Sequence, residues 1–238
     1  MKYLTIDTTT KVTALALAED GNLVAEGFLH TTKTHSERII PMLDQVLGAA
    51  AWKLKDLDFI GVVRGPGSFT GIRIGIATAQ GIAQVLELPL IGVLSLDALA
   101  WAGYGHSAEI VPILDARKNE WYTAQYRWSE TEQKPLRVKE PFAGEPVRWL
   151  NELAGLKQPV LFVGDAVPRY ADMIRDHLGE KAVLLPDYLA LPRGAYTAQS
   201  VWWEWQKTQQ GGLVEPYYIR ASEAEVNWAK KEEAKRER

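Results

Sequence analysis

Cysteine is absent from this 238-residue sequence, which excludes disulfides, cysteine–zinc sites and thiol chemistry. Long hydrophobic runs are absent as well: no apolar stretch approaches the roughly 18 residues a membrane helix needs. The start, Met1-Lys2-Tyr3-Leu4-Thr5-Ile6-Asp7, reaches a charge too early to hold a signal-peptide core, so a cytoplasmic location without membrane contact is expected. Charge of one sign is lacking too. The formal net charge is −3, so bulk electrostatics do not favour nucleic acid, and a function on RNA would need most phosphate contacts from elsewhere. Histidine is scarce. His30 and His35 do not have the i,i+4 spacing that puts two imidazoles on one helix face. A metal there would need a third ligand that the sequence does not supply, and structural roles are the better expectation.

Glycine, by contrast, is concentrated in one stretch, Gly65-Pro66-Gly67-Ser68-Phe69-Thr70-Gly71-Ile72-Arg73-Ile74-Gly75. It follows a strand-like run, Phe59-Ile60-Gly61-Val62-Val63, and leads into a helical run over roughly 70–86. Such a turn can hold an anion or let another backbone come close. Gly67, Gly71, Gly75, Ala79 and Ala83 fall four apart, so the last four make a strip of small residues along one side of the helix. An interior glycine costs about 1 kcal/mol relative to alanine, and close packing on that strip would offset it. The packing element is either another helix of the same domain or a neighbouring molecule. Ile72, Ile76, Ile82 and Val85 lie off the strip and are expected to face the sheet. The stretch is not a Walker A loop, which ends in Gly-Lys-Ser/Thr, nor a Gly-x-Gly-x-x-Gly fingerprint, nor a Gly-x-Ser-x-Gly elbow.

Taken in order, Tyr3–Asp7, Val12–Ala18 and Leu23–Leu29 read as a three-stranded meander with Asp7 at the first turn. Thr34 and Glu37 have the spacing of a capping box, followed by Ile39, Ile40, Leu43, Val46 and Leu47 at helical spacing, with Pro41 expected to bend the first turns. Leu57–Val63 and Leu90–Val93 are strands. The second half opens like the first: Ile110–Asp115, a polar turn, then a strand over Glu120–Tyr126, a pattern that suggests two similarly folded lobes. Residues 129–140 read as a surface loop, Val147–Leu153 and Tyr170–Leu178 as helices, and Val160–Val163 and Ala182–Leu185 as strands. Thr197 is expected to cap a helix bearing Ala198, Val201, Trp202 and Trp205 on one face. Its tryptophans, Trp203 included, suit either a base-stacking platform or, by preference, an amphipathic helix seated on its own lobe.

Asp7 and Asp115, each at the end of a buried strand, are the acids best placed for chemistry. Facing each other across a cleft they could hold Mg-ATP as in a phosphotransferase or ATPase; equally, each could cap its own turn. Calorimetry with Mg-ATP separates the two.

Ile6-Asp7-Thr8-Thr9-Thr10, His35-Ser36-Glu37-Arg38-Ile39-Ile40-Pro41-Met42, the Gly65–Gly75 stretch, Asp115-Ala116-Arg117 and Pro216-Tyr217-Tyr218-Ile219-Arg220 together resemble the TsaB (YeaZ) family, within the wider TsaD/ASKHA group. The resemblance implies an α/β, two-lobed ASKHA (actin-like ATPase, RNase H-like) fold with duplicated mixed-sheet lobes: residues 1–100, residues 101–222 and a charged tail over 223–238. It implies a non-catalytic partner of TsaD, the enzyme that transfers a threonylcarbamoyl group to the adenosine at position 37 of tRNAs reading ANN codons. TsaD carries a His-x-x-x-His metal pair that this sequence lacks, so no metal site carries over. Pairing with TsaD through two first-lobe helices, roughly 35–50 and 70–86, would place Ser36, Ile39, Ile40, Leu43, Gly67, Thr70, Gly71, Ile74, Gly75, Thr78 and Ala79 at the interface. TsaE is expected in a ternary complex, tRNA only through the complex, and a homodimer when the chain is alone. The turn Asp7-Thr8-Thr9 stands where nucleotide-binding relatives have Asp-x-Gly, and a Cβ at Thr9 crowds a phosphate. No intrinsic cofactor is therefore expected, with ATP or ADP only in the multi-subunit assembly.

Overall fold

The computed structural model describes residues 1–31 and 34–220. They form two five-stranded sheets of identical topology. In the first, the order is β3-β2-β1-β4-β5, with β1 (Lys2–Asp7), β2 (Val12–Glu19), β3 (Asn22–His30), β4 (Phe59–Val63) and β5 (Leu90–Val93). In the second it is β8-β7-β6-β9-β10, with β6 (Glu109–Asp115), β7 (Trp121–Ser129), β8 (Lys134–Gly144), β9 (Val160–Val163) and β10 (Ala182–Leu184). The first three strands of each sheet pair antiparallel and the last two join in parallel. The duplication read from strand–acid–strand patterning is thus real.

On one face of the first sheet lie α1 (His35–Ala49) and α2 (Phe69–Leu86). Leu4 and Ile6 of β1 meet Ile39, Leu43, Ile72, Ile76 and Ala79 there in one core. The capping box of α1 forms, the Thr34 amide donating to Glu37 Oε2 at 3.2 Å, and the helix runs on through Pro41. The second sheet packs α4 (Pro146–Ala154) and α5 (Val167–Leu178) on one face and the short α3 (Ser95–Ala100) on the other. A one-turn helix, α6 (Asp187–Ala190), precedes α7 (Gly194–Thr208).

Three expectations are corrected. The loop expected at 129–140 is largely strand β8. It is the edge of its sheet, where Pro135, Pro141 and alternating Lys and Arg are tolerated because one side of the strand has no ladder to complete. Thr197 is not a cap: α7 begins at Gly194, and its N-terminus is held by Glu26 of β3, whose Oε1 accepts from the Ala195 amide at 3.2 Å while Arg193 forks the same carboxylate. Finally, α7 does not sit on the second lobe's sheet. Ala198 and Val201 pack on Tyr3, Phe59 and Ile91, covering the face of the first sheet opposite α1 and α2. Trp202 stacks with Tyr3 at 5.8 Å and Trp205 with Phe59 at 4.4 Å, while Lys134 caps Trp203 at 5.0 Å. The rings are core and cover, not a platform. No helix among the described residues is long and apolar enough to cross a membrane. The charged tail from Glu223 lies outside the described residues.

Candidate functional site

The buried strand β1 ends at Asp7, and the turn that follows closes on itself. Asp7 Oδ1 accepts from the Thr9 amide at 2.8 Å and the Thr9 hydroxyl at 2.7 Å. Burial raises the Asp7 pKa, and the two bonds from Thr9 oppose that rise. The Thr8 hydroxyl donates to Gly71 O at 2.7 Å, and Thr9 O accepts from the Ser68 amide at 2.6 Å. The turn is therefore fastened to the start of α2.

This is where the glycine strip has its use. A Cβ at Gly71 would stand 1.9 Å from Thr8 O, one at Gly75 2.4 Å from Thr8 Oγ1, and one at Gly67 2.3 Å from Thr9 O. Gly67 also has φ +155, a conformation side chains rarely adopt. The neighbour that needs small residues is thus neither another helix nor another molecule but the Thr8–Thr9 turn. The expectation that Gly71, Gly75 and Ala79 face a partner is corrected: all three are buried within the lobe, as are Ile39 and Leu43. Val85, expected to face the sheet, is 80% exposed.

What remains accessible on α1 and α2 is a different face. Ser36 and Ile40 on α1 reach solvent, Ile40 being 49% exposed. On α2, Thr70, Ala77, Gly81 and Val85 are exposed, and Ile74 and Thr78 half-buried. A Cβ at Gly48 or Gly81 would meet nothing within 4 Å. Gly81 is an interior helical glycine, and nothing in the packing of the described residues requires it.

His35 bridges α1 to the same turn. Its Nε2 faces Thr10 O at 2.8 Å and its Nδ1 lies 2.7 Å from the Thr13 hydroxyl and 3.1 Å from an Arg38 nitrogen. A carbonyl and an arginine on either side fix the neutral tautomer protonated at Nε2, and burial with the nearby Arg38 charge lowers the pKa. Both ring nitrogens are engaged, so His35 is structural. Among the described residues no group of three or more His, Cys, Asp or Glu side chains is placed to hold a metal ion.

Between the lobes lies a cleft of about 1250 Å³, lined by the turn after Asp7, the N-terminal end of α2, the β6–β7 turn and residues 217–220. Asp115 lies on its wall and caps its own turn: Oδ1 accepts from the Arg117 amide at 2.8 Å and Oδ2 from Arg169 at 3.0 Å. Asp7 lies beneath the wall rather than on it. A third acid, Asp165, went unread in the sequence. It accepts from the Asp115 amide at 3.2 Å, and burial chiefly, with the Asp115 and Asp7 charges adding, pushes its pKa up to about 6. Its signal was positional: Gly164-Asp165 follows β9 as the Gly-rich turn follows β4. Residues 214–220 run beside α2, where Arg73 Nε donates to the Tyr218 hydroxyl at 3.0 Å and Tyr218 stacks on Phe69 at 4.7 Å. The segment ends in an Arg220–Glu120 ion pair across to the β6–β7 turn.

Residues 29–228 match the family of tRNA N6-adenosine threonylcarbamoyltransferases, TsaD. The chain is 33% identical over 231 residues to the tRNA threonylcarbamoyladenosine biosynthesis protein TsaB of Bacillus subtilis, covering 96% of this chain and 98% of that one. It is 31% identical to TsaB of Haemophilus influenzae, with 97% of each chain covered. Among solved structures, YeaZ from Pseudomonas aeruginosa superposes with a TM-score of 0.75 at 24% identity, covering 91% of this chain and 99% of that one. Component A of (R)-2-hydroxyglutaryl-CoA dehydratase from Acidaminococcus fermentans, at TM-score 0.54 and 12% identity over 88% of this chain and 100% of that one, shares the fold alone.

Proposed function

The chain belongs to the TsaB family of tRNA threonylcarbamoyladenosine biosynthesis proteins, and from that premise we propose that it is a non-catalytic partner of TsaD. It docks TsaD through the first lobe, residues 1–100, by the exposed face of α1 and α2. The observation that carries this is the stripe Ile74, Thr78, Gly81 and Val85 on α2, with Ile40 exposed on α1: apolar or small, exposed or half-exposed, and holding an interior glycine that the packing of the described residues does not need. The Asp7 turn supports the absence of chemistry in this chain's own cleft. Its carboxylate and both threonines are engaged with the chain itself, and α2 lies where a phosphate would approach. ATP or ADP and TsaE then belong to the assembly rather than to this chain alone, tRNA is modified only within that assembly, and the same face supports a homodimer when TsaD is missing.

Light-scattering mass determination of the protein alone and mixed with TsaD, followed by a threonylcarbamoyl-transfer assay on the same samples, tests this. A defined complex in which only the mixture modifies tRNA is expected. Failure to associate, or modification by this chain alone, overturns it.

A further inference from the structure

The interlobe cleft has a positive wall in a chain of net negative charge. Arg38 is only 6% exposed, yet its hydrogen-bonding partners are Thr34 O, Thr31 O and Oγ1, Lys11 O and the neutral His35 ring. Carbonyls satisfy the guanidinium's N–H groups but leave its charge uncancelled, and among the described residues no carboxylate forms an ion pair with it. A buried cation in that state carries a desolvation penalty that a nearby anion relieves. Two further cations line the same cleft: Lys11 on the β1–β2 turn, whose charge acts on the Asp165 carboxylate, and Arg117 on the β6–β7 turn, for which no carboxylate ion pair is seen among the described residues. Against them stand Asp115, already matched by Arg169, and Asp165. The three cations belong to three separate elements on both lobes, so the positive wall runs across the opening instead of converging on one point. Tyr122 adds a half-buried aromatic ring beside them.

We propose that this cleft binds single-stranded RNA, with Lys11 and Arg117 contacting phosphates at its mouth, Arg38 supplying fixed positive charge behind them, and Tyr122 offering a ring for a base. A mononucleotide suits the site less well, because the turn that would cradle its phosphates is closed by Gly67, Gly71 and Gly75 packing on Thr8 and Thr9. The choice of RNA among polyanions rests on the reading that the protein works in tRNA modification; the charge distribution does not. Contacts of this kind, sequence-tolerant and electrostatic, bind weakly alone and add to a larger assembly's grip.

The test is fluorescence anisotropy of a labelled single-stranded RNA of about 12 nucleotides, within the range such grooves cover, titrated with the whole protein. Binding at low salt with Kd in the range of about 10⁻⁴ to 10⁻⁶ M is expected. Lys11→Glu with Arg117→Glu should weaken it at least tenfold, by roughly the effect of two phosphate contacts, and should flatten the salt dependence by about 1.4 in log–log slope. Arg148→Glu, on the exposed surface of α4, should leave it unchanged. No binding at low salt, an equal loss with Arg148→Glu, or displacement of the RNA by micromolar Mg-ATP overturns the proposal. Association with TsaD, measured by light scattering on the same charge-reversed protein, stays intact in every case. Its failure in the unmodified protein would refute the partner reading and leave the RNA result standing.

Discussion

The Asp7 turn and the Asp115 turn occupy the same place in two sheets of the same topology, and they are built in opposite ways. The first is buried and clamped. Asp7 holds Thr9, Thr8 holds Gly71, and three glycines of the α2 region lie so close that no side chain fits between. The second is half open. Asp115 caps its turn and pairs with a solvent-facing arginine, and Arg117, Lys118 and Asn119 follow one another with φ of 61°, 50° and 57°. Among the described residues no strip of small residues packs on it; α5 presents Val167 and Tyr170 to its own core instead. One supersecondary unit has thus served twice, once as a keystone that fixes a helix and once as the free wall of a cleft. Fixing α2 from behind also holds its outer face, with Ile74 and Val85, in place for the partner proposed above.

The sharpest way to break this comparison is to put a side chain into the clamp. Gly71→Val drives a Cβ to 1.9 Å from Thr8 O, an overpacking expected to cost about 3 kcal/mol or more and to lower Tm by roughly 6–12 °C for a chain of this size. A melt like the unmodified protein's would mean that α2 is not seated on the turn. Gly75 behaves the same way, so its substitution reports on the lobe's stability and not on association alone. Next in size is the pair of acids. Asp7→Ala strands two buried donors and should cost about 2 kcal/mol or more, whereas Asp115→Ala, on a partly exposed group, should stay within about 1 kcal/mol. Urea titrations of both variants check this, and equal costs would remove the distinction between keystone and wall. A third effect is pH-dependent. The Asp165 pKa is pushed up to about 6 in the fold, so the unfolded chain releases this proton first and stability falls as pH rises from about 4 to about 6. Asp165→Asn removes that decline, and its Tm advantage over the unmodified protein should widen toward neutral pH. A constant gap across that window would contradict the burial of Asp165.

Much of this was legible in the sequence because it is local. The strand–acid–strand pattern marked both lobes, the capping box marked α1, and the spacing of glycines marked one face of α2 as small. Periodicity says which residues share a face but not what lies against it. The neighbour of Gly71 is a threonine turn some 60 residues earlier in the chain, and only the fold brings them together. The same limit hid the cap of α7, supplied by Glu26 from another strand, and the seat of α7 on the first sheet. The edge strand β8 was hidden for another reason: prolines and charges signal a loop in isolation, and only the absence of a neighbour on one side makes them acceptable in a strand. Asp165 had only its place after a strand and a glycine to mark it, and Arg38 only its place in the His35–Met42 stretch; the burial that gives each its importance is a property of the fold.

The central claim is that the inner side of α2 belongs to its own lobe and the outer side to TsaD. Val85→Glu tests it most directly, because Val85 is 80% exposed and its replacement leaves the clamp untouched. Light scattering of this variant mixed with TsaD, beside a thermal melt of the variant alone, is the measurement. The account predicts loss of the complex with a melt within about 0.5 kcal/mol of the unmodified protein's. A Val85→Glu protein that still forms the complex at full strength would contradict it.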